Sequence, residues 1–327
     1  MARLSAFITS YNRADFVVTC VRSILAAASE SLEVRVIVMD NGSSDETPEV
    51  LAKAMQHVPA HGALETLRTE DNRHIVEVIN KGFAAARESD PDYIAMFNDD
   101  TELTPGSLEA VVAACEAHPD SLLTPLQRNY RQPEHIDGNA LGHVRQLDAL
   151  IEDAVLGRPL RQVYPLPVII GACMFARAEV WANIGPFDPL FWFYGVDDDI
   201  CTRARFLGYQ TLLVPGAHLF HAHGKLDSSA SAMTKEARDR KWRYETQTRY
   251  LFMLKKHEVG LGRAVCGTAW HALQNAFTCA RHGWPWGAWQ SLAIFAWFLP
   301  RLGLLAEARR QHFDPARKVD LGPPPGA

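Results

Sequence analysis

The feature that most restricts this chain is an alternation of short apolar runs with helical periodicity, beginning at Leu4. Leu4–Thr9 is apolar, and a helical pattern with Val17, Val21, Ile24 and Leu25 on one face runs to about Ala28, with Asn12 or Asp15 placed to cap it. Val34–Met39 (VRVIVM) is a continuous β-branched run, as expected of a strand covered on both faces. Ser43 and Glu46 have the spacing of a capping box, opening a helix to about Val58. Leu64–Thr69 and Asp92–Phe97 supply further strands, Ile75–Glu88 a helix, and Pro105 is placed to open another helix at its first position. Asn129–Pro167 is expected to be a long loop or substrate flap, and Val168–Ala176 resumes strand character. The alternation predicts right-handed βαβ units, hence an α/β fold with a mostly parallel sheet flanked by helices.

In such sheets ligands bind at the carboxyl ends of the strands. That rule aligns Thr9–Asn12, Asp40–Asp45, Thr69–Asn72 and Asn98–Thr101 along one rim. Neither G-x-G-x-x-G after a strand nor G-x-x-x-x-G-K-[ST] is present, so a nucleotide held there needs side chains and a metal ion for its phosphates. The Gly171-Ala172 step removes side-chain bulk, which suits close approach of a ligand and equally a strand kink. Farther on, Asp197, Asp198 and Asp199 lie behind the aromatic block Phe191-Trp192-Phe193-Tyr194 and ahead of His218, His221 and His223. Acidic residues in a first turn complement the helix dipole, and Asp199 can pair with Arg203 at i,i+4. Carboxylates between an aromatic wall and imidazoles equally describe a site.

Charge divides the chain in two. Residues 1–225 carry 18 Lys+Arg against 30 Asp+Glu, a net of −12, whereas residues 226–327 carry 15 against 8, a net of +7. Six of the eight tryptophans fall in the second part. The expected organisation is a catalytic domain over 1–225, a helical, basic, Trp-rich region over 226–317, and a disordered tail over 318–327. Within the second part, the apolar run of Trp284–Leu299 is about 16 residues, short of the ~20 that span a bilayer. Tryptophans beside arginines fit peripheral contact with a membrane interface through 238–310; a packed helical subdomain or a homodimer contact is the alternative. Six scattered cysteines without Cys-x-x-Cys, and an N-terminus lacking a long apolar h-region, point to a cytoplasmic location, at the inner face of the cell membrane if the interface contact holds. Nothing points to nucleic acid.

Five segments in order carry a family likeness: FITSYNR, MDNGSSDET, DNRHIVEVINKGFAAA, FNDDTELTPGSL and the stretch from GACMFARAEVW to LFHAHG. Together they resemble a family-2 nucleotide-sugar glycosyltransferase of the GT-A (Rossmann-like) fold, its rhamnosyl- and galactofuranosyltransferase-like members most closely. The resemblance implies that Thr9, Tyr11 and Asn12 line the nucleoside pocket, that Asp40 accepts from the base edge, and that Asn72, Asn80 and Lys81 hold ribose or diphosphate. It places Asn98-Asp99-Asp100 at the family's Asp-x-Asp motif, with Asp100 and His221 as metal ligands, Asp99 beside the nucleotide-sugar and Mg²⁺ or Mn²⁺ as cofactor. Asp197 stands at the catalytic base, Gly171 and Ala172 face the donor, and Trp192, Tyr194 and Asp198 are the candidates for the acceptor. Asn98 and Val196 replace acidic residues of the family pattern, and His74 replaces a common glycine. The implied activity is inverting transfer of a sugar from a UDP- or dTDP-sugar to a surface polysaccharide or lipid-linked glycan. A nucleotidyltransferase and a non-catalytic sugar-nucleotide-binding scaffold are the competing readings; FITSYNRAD is not the Gly-rich basic loop the first requires.

Overall fold

The computed structural model describes residues 1–136, 147–192, 194–222 and 234–319. Phe193, His223 and residues 320–327 therefore lie outside the described residues. The first half builds as the periodicity predicts: β1 Ala2–Ser10, α1 Ala14–Leu25, β2 Leu32–Asp40, α2 Thr47–Ala54, β3 Gly62–Arg68, α3 Ile75–Arg87 and β4 Tyr93–Asn98. β1 pairs in parallel with both β2 and β4, and β2 with β3. The chain continues through β5 Thr101–Leu103, α4 Ser107–Ala117, β6 Ser121–Asn129, α5 Asp148–Val155, β7 Tyr164–Pro165, β8 Cys173–Arg177, α6 Ala178–Ile184, α7 Val196–Leu207 and β9 Gln210–His221.

Among the described residues the strands form one sheet in the order β3-β2-β1-β4-β8-β6-β9-β5, with β7 on β9. β8 runs antiparallel to both neighbours, β4 and β6, so the sheet is mixed, parallel only from β3 to β4 and again between β6 and β9. A buried apolar strand reads the same in either direction, which is why the sequence alone predicted a mostly parallel sheet. Helices cover both faces: α1 and α4 over one apolar core, α3, α6 and α7 over the other.

Three local expectations are corrected. Ser43 does not cap α2; its Oγ accepts from the Asn12 N–H at 2.9 Å, and Asn12, at φ +55°, returns its Oδ1 to the Ser44 N–H at 2.8 Å. These crossed bonds tie the β1–α1 and β2–α2 loops together, a use that sequence spacing does not reveal. Pro105 precedes a left-handed Gly106, and α4 opens at Ser107. The stretch 129–167 holds α5 and β7, tied by Asp153, which accepts from the Tyr164 hydroxyl at 2.9 Å and the Arg161 Nε at 3.0 Å.

The remaining helices are α8 Lys235–Lys255, α9 Leu261–Arg281, α10 Pro285–Phe298 and α11 Leu302–His312. They enclose a third core in which Tyr250, Leu254, Ile294 and Phe298 meet Leu190 and Phe191, so the aromatic block ahead of the acidic run is partly core. Pro300 sits in a 3₁₀ turn and does not end the helical path; Pro285–Arg317 is long and apolar enough to cross a membrane by length and composition, and most of it is not buried within the described residues.

A buried ion cluster joins α8 and α11 to α7. The Lys255 ammonium bonds Asp188 Oδ2 at 2.6 Å and Asp199 Oδ1, and lies 3.2 Å from His312 Nδ1. Arg203 donates to Asp199 Oδ2 at 2.9 Å and to the Ile184 carbonyl at 2.7 Å. Asp188, Asp199 and His312 are spaced like a metal site, but the ammonium already fills it. Asp199 therefore has the structural role expected of it.

Burial, with Arg203 and Lys255 beside it, pushes the His312 imidazole from 6.5 down to about 3, although Asp199 pulls the other way; Arg317 adds to the lowering, and Asp188 lies 3.7 Å from its Nδ1. Burial alone would raise the Asp199 carboxyl, but Arg203 and Lys255 outweigh it and hold the group below the usual range. Between about pH 6.5 and 3 the unfolded chain binds a proton at position 312 that the folded chain refuses, so stability falls as pH falls. Asp199 contributes above its unfolded value and loses that contribution only at lower pH, in the same direction. The His312 effect is at most about 1.4 kcal/mol per pH unit. His312→Asn should lose less Tm than wild type between pH 6.5 and 4.5; equal losses would refute this.

Candidate active site

β4 ends at Asn98 and β5 begins at Thr101, so Asp99 and Asp100 occupy a two-residue turn at the carboxyl edge of the sheet. Thr101 pairs in antiparallel register with His221, the last residue of β9, and the Ala222 N–H bonds the Asp100 carbonyl at 2.9 Å. This register brings His221 Nε2 to 3.3 Å from Asp100 Oδ1. Asp99 and Asp100 are each only 8% exposed. Burial and then the adjacent Asp100 charge push the Asp99 carboxyl up to about 7, against the lowering influence of the nearby Ser10 hydroxyl and the Arg13 charge. Arg13 Nε lies 3.8 Å from Asp99 Oδ1.

Asp197 reaches the same space from α7, as the second residue of that helix, where the macrodipole favours a carboxylate. Its Oδ2 accepts from the Gly171 N–H at 3.2 Å and its Oδ1 from the Asp198 N–H at 3.1 Å. The turn that sets its direction is fixed from behind by α8. Gly195 has φ +83°, and a Cβ there would fall 2.6 Å from Thr248 Cγ2 and 2.8 Å from Phe252. Thr248 Oγ1 donates to the Tyr194 carbonyl at 2.9 Å. Gly195→Ala combines a left-handed alanine with overpacking, an expected cost of about 2–4 kcal/mol, read as a lowered urea midpoint. A midpoint unchanged from wild type would contradict the clamp.

Asp99, Asp100, Asp197 and His221 line one cleft of about 640 Å³, together with Thr9, Tyr11, Gly171, Ala172 and Tyr194. Other residues singled out from the sequence lie elsewhere. Asn12 holds the neighbouring loop, as described above. Asp40 is fully buried beneath the rim, accepting from the Ser43 N–H at 2.9 Å and facing Arg68 Nη1 at 3.4 Å; Asn41 takes its place on the wall. Asn72 accepts from Asn41 Nδ2 at 2.9 Å. Asn80 spends its amide on the Phe187 backbone, accepting from the N–H and donating to the carbonyl, both at 2.8 Å. Lys81 pairs with Glu77 at 2.9 Å. Helical phase explains these two: α3 turns Ile75 and Ile79 into the cleft and Asn80 and Lys81 onto a neighbouring groove, which Trp192 also lines. Asp198 is not among the cleft-lining residues, and His218 Nδ1 accepts from Arg128 Nε at 3.3 Å. Sequence reasoning missed Arg13, among the described residues the one Lys or Arg lining the cleft; its place just after the β1 turn was the available signal.

Residues 5–184 match the family model for glycosyl transferase family 2. The chain is 28% identical over 261 residues to an N-acetylglucosaminyl-diphospho-decaprenol L-rhamnosyltransferase of Mycobacterium tuberculosis, covering 71% of this chain and 79% of that one. By structure it is similar to the mannosyltransferase PcManGT of Pyrobaculum calidifontis, solved with GDP-Man and Mn²⁺, with TM-score 0.54 and 16% identity over 96% of this chain and 81% of that one. It is also similar to GalNAc-T7, solved with UDP, GalNAc and Mn²⁺, with TM-score 0.53 and 14% identity over 76% of this chain and 51% of that one. These two likenesses carry the fold, that of GT-A glycosyltransferases. With its matched segment spanning more than half its length, the chain belongs to glycosyl transferase family 2.

Proposed function

We propose that this protein is an inverting, metal-dependent transferase that moves a sugar from a UDP- or dTDP-sugar to a hydroxyl of a lipid-linked glycan. The observation that carries the reading is the meeting of two carboxylate groups from separate elements, Asp99-Asp100 from the β4–β5 turn and Asp197 from α7, in one cleft. The donor set at the first corner fits a divalent cation: two buried carboxylates, one pushed up to about 7 by burial and its neighbour, and an imidazole 3.3 Å away. Hard oxygens suit Mg²⁺ or Mn²⁺, and the His221 nitrogen tilts the choice to Mn²⁺. When bound, such an ion supplies charge neutralisation for a departing diphosphate.

The chain's own residues do the rest. Asp197, held by the Gly171 N–H and the α7 terminus, accepts the proton of the attacking hydroxyl. Ile75, Ile79 and Met96 line the cleft as apolar wall. The mycobacterial relative's name specifies a diphospho-decaprenol acceptor, which supports a lipid-linked one here. The same acceptor suits a cytoplasmic protein at the inner membrane face, approaching it through the basic, Trp-rich helices.

The test is a thermal-shift series of nucleotide sugars with and without Mn²⁺. At a hundredfold excess over Kd the cognate donor should add ~2.7 kcal/mol of stability, seen only with the metal. Equal shifts with and without Mn²⁺ would contradict the metal dependence.

A further inference from the structure

Beside the donor cleft lies a second concavity. It is a groove of about 620 Å³ between α3 and the end of α10, walled by Trp192 and Trp297. Trp192 and Trp297, with ring centroids 6.5 Å apart, also bound a smaller hollow of about 270 Å³ that contains Arg243. The groove adjoins the cleft through two elements: α3 lines both, and Tyr194, two residues beyond Trp192, lines the cleft. Its charged side chains are Lys81, Arg301 and Glu77; with Arg243 next door the balance is three cations to one carboxylate, a net of +2. Arg301 is held in place, its guanidinium 3.8 Å over the Trp297 ring and its Nη1 donating to the Trp297 carbonyl at 2.8 Å.

One face of α10 away, the chemistry changes. Gln290, Ala293 and Trp297 look into the hollow, whereas Trp289, Leu292, Ala296 and Leu299 repeat at helical spacing on the exposed side, and Leu304 of α11 is exposed as well. Trp289 is 66% exposed and Leu304 61%. No charged residue interrupts that stripe.

We infer that the Trp192–Trp297 groove binds the diphosphate-sugar head of an amphiphilic acceptor, whose lipid tail lies along the exposed stripe of α10. The net +2 matches the two charges of a diphosphate diester, the half-buried Trp192 and Trp297 side chains wall the groove where a sugar ring would sit, and the stripe receives the hydrocarbon. An aqueous sugar acceptor would use the groove and leave the stripe unexplained; a bare membrane contact would use the stripe and leave the groove unexplained. The inference rests on the lipid-linked acceptor proposed above and names the surface that takes it.

The test is calorimetric titration of the full chain with geranyl diphosphate, a soluble diphosphate amphiphile, and separately with inorganic pyrophosphate, in the presence of saturating UDP. Geranyl diphosphate should bind at least roughly tenfold tighter than pyrophosphate, the difference being the buried hydrocarbon. Arg301→Gln should weaken geranyl diphosphate roughly tenfold and leave nucleotide-sugar affinity unchanged. Leu292→Asp should weaken geranyl diphosphate and spare pyrophosphate. Anionic vesicles lacking any diphosphate lipid should bind wild type and Arg301→Gln alike. The inference is overturned if Arg301→Gln binds geranyl diphosphate as wild type does, if the tail adds nothing over pyrophosphate, or if Arg301→Gln loses vesicles and geranyl diphosphate equally. Because donor binding is measured on its own, a chain that takes geranyl diphosphate but no nucleotide sugar would sink the transferase reading and leave the groove standing.

Discussion

Replacing Asp197 by Asn should lower kcat for sugar transfer by ~10²–10⁴ while leaving donor affinity close to that of wild type. The substitution keeps the shape of the side chain and an oxygen able to accept from the Gly171 N–H, so the turn at the start of α7 has no reason to move. What is lost is the capacity to take a proton from the attacking hydroxyl. A base contributes to the transition state and little to binding of the donor, so the damage belongs in kcat. Asp197 sits in the first turn of α7, with the Gly171 and Asp198 N–H groups donating to its two oxygens, so its carboxylate is held in a fixed direction. A variant with wild-type kcat would remove Asp197 from the chemistry. A variant that lost donor binding and kcat together would make it a donor-binding group instead.

Lys255→Met is expected to cost about 3–5 kcal/mol of stability, because it takes the bonded ammonium from both buried carboxylates, Asp188 and Asp199, and leaves Arg203 bonded to Asp199 alone. Breaking one member of a buried ionic cluster costs far more than a surface pair is worth, since the remaining charges cannot return to water. The consequence reaches the active site. Lys255 lies on the helix that also carries Thr248 and Phe252, the residues closed on the Tyr194–Gly195 turn ahead of Asp197. Chemical denaturation measures the loss, and transfer activity below the unfolding midpoint should fall with it. A midpoint within about 0.5 kcal/mol of wild type would mean the cluster is not what joins the C-terminal helices to the sheet.

How much of this was legible beforehand depended on the range of the interaction. Strand runs such as Val34–Met39 declared themselves because an apolar β-branched stretch has few other uses, and the strand-exit rule then put Asp99, Asp100 and Thr9 on the right edge. The pairing of His221 with the acidic turn could not be read from spacing, since it depends on a long-range antiparallel register between β5 and β9. Asn80 and Lys81, expected to hold ribose or diphosphate, fall outside the cleft lining because family position fixes the helix but not its rotation; Ile75 and Ile79 of the same helix carry the wall. Asp40 shows a third kind of limit: a strand-end aspartate that turns inward, to Ser43 and Arg68, looks the same in sequence as one that turns outward. The division of charge between the halves suggested separate roles for them, yet Lys255 and Thr248 of the basic half serve as struts for the acidic one.

The most direct measurement of the central claim is calorimetric titration of the cognate nucleotide sugar into wild type, Asp100→Asn and Asp197→Asn at fixed Mn²⁺. The two carboxylates share a cleft but hold different jobs, so Asp100→Asn should lose roughly tenfold or more in donor affinity, with its dependence on Mn²⁺ gone, whereas Asp197→Asn should bind the donor as wild type does. If the two variants lose donor affinity alike, or Asp100→Asn keeps a Mn²⁺-dependent affinity equal to wild type, the division of labour described here is wrong.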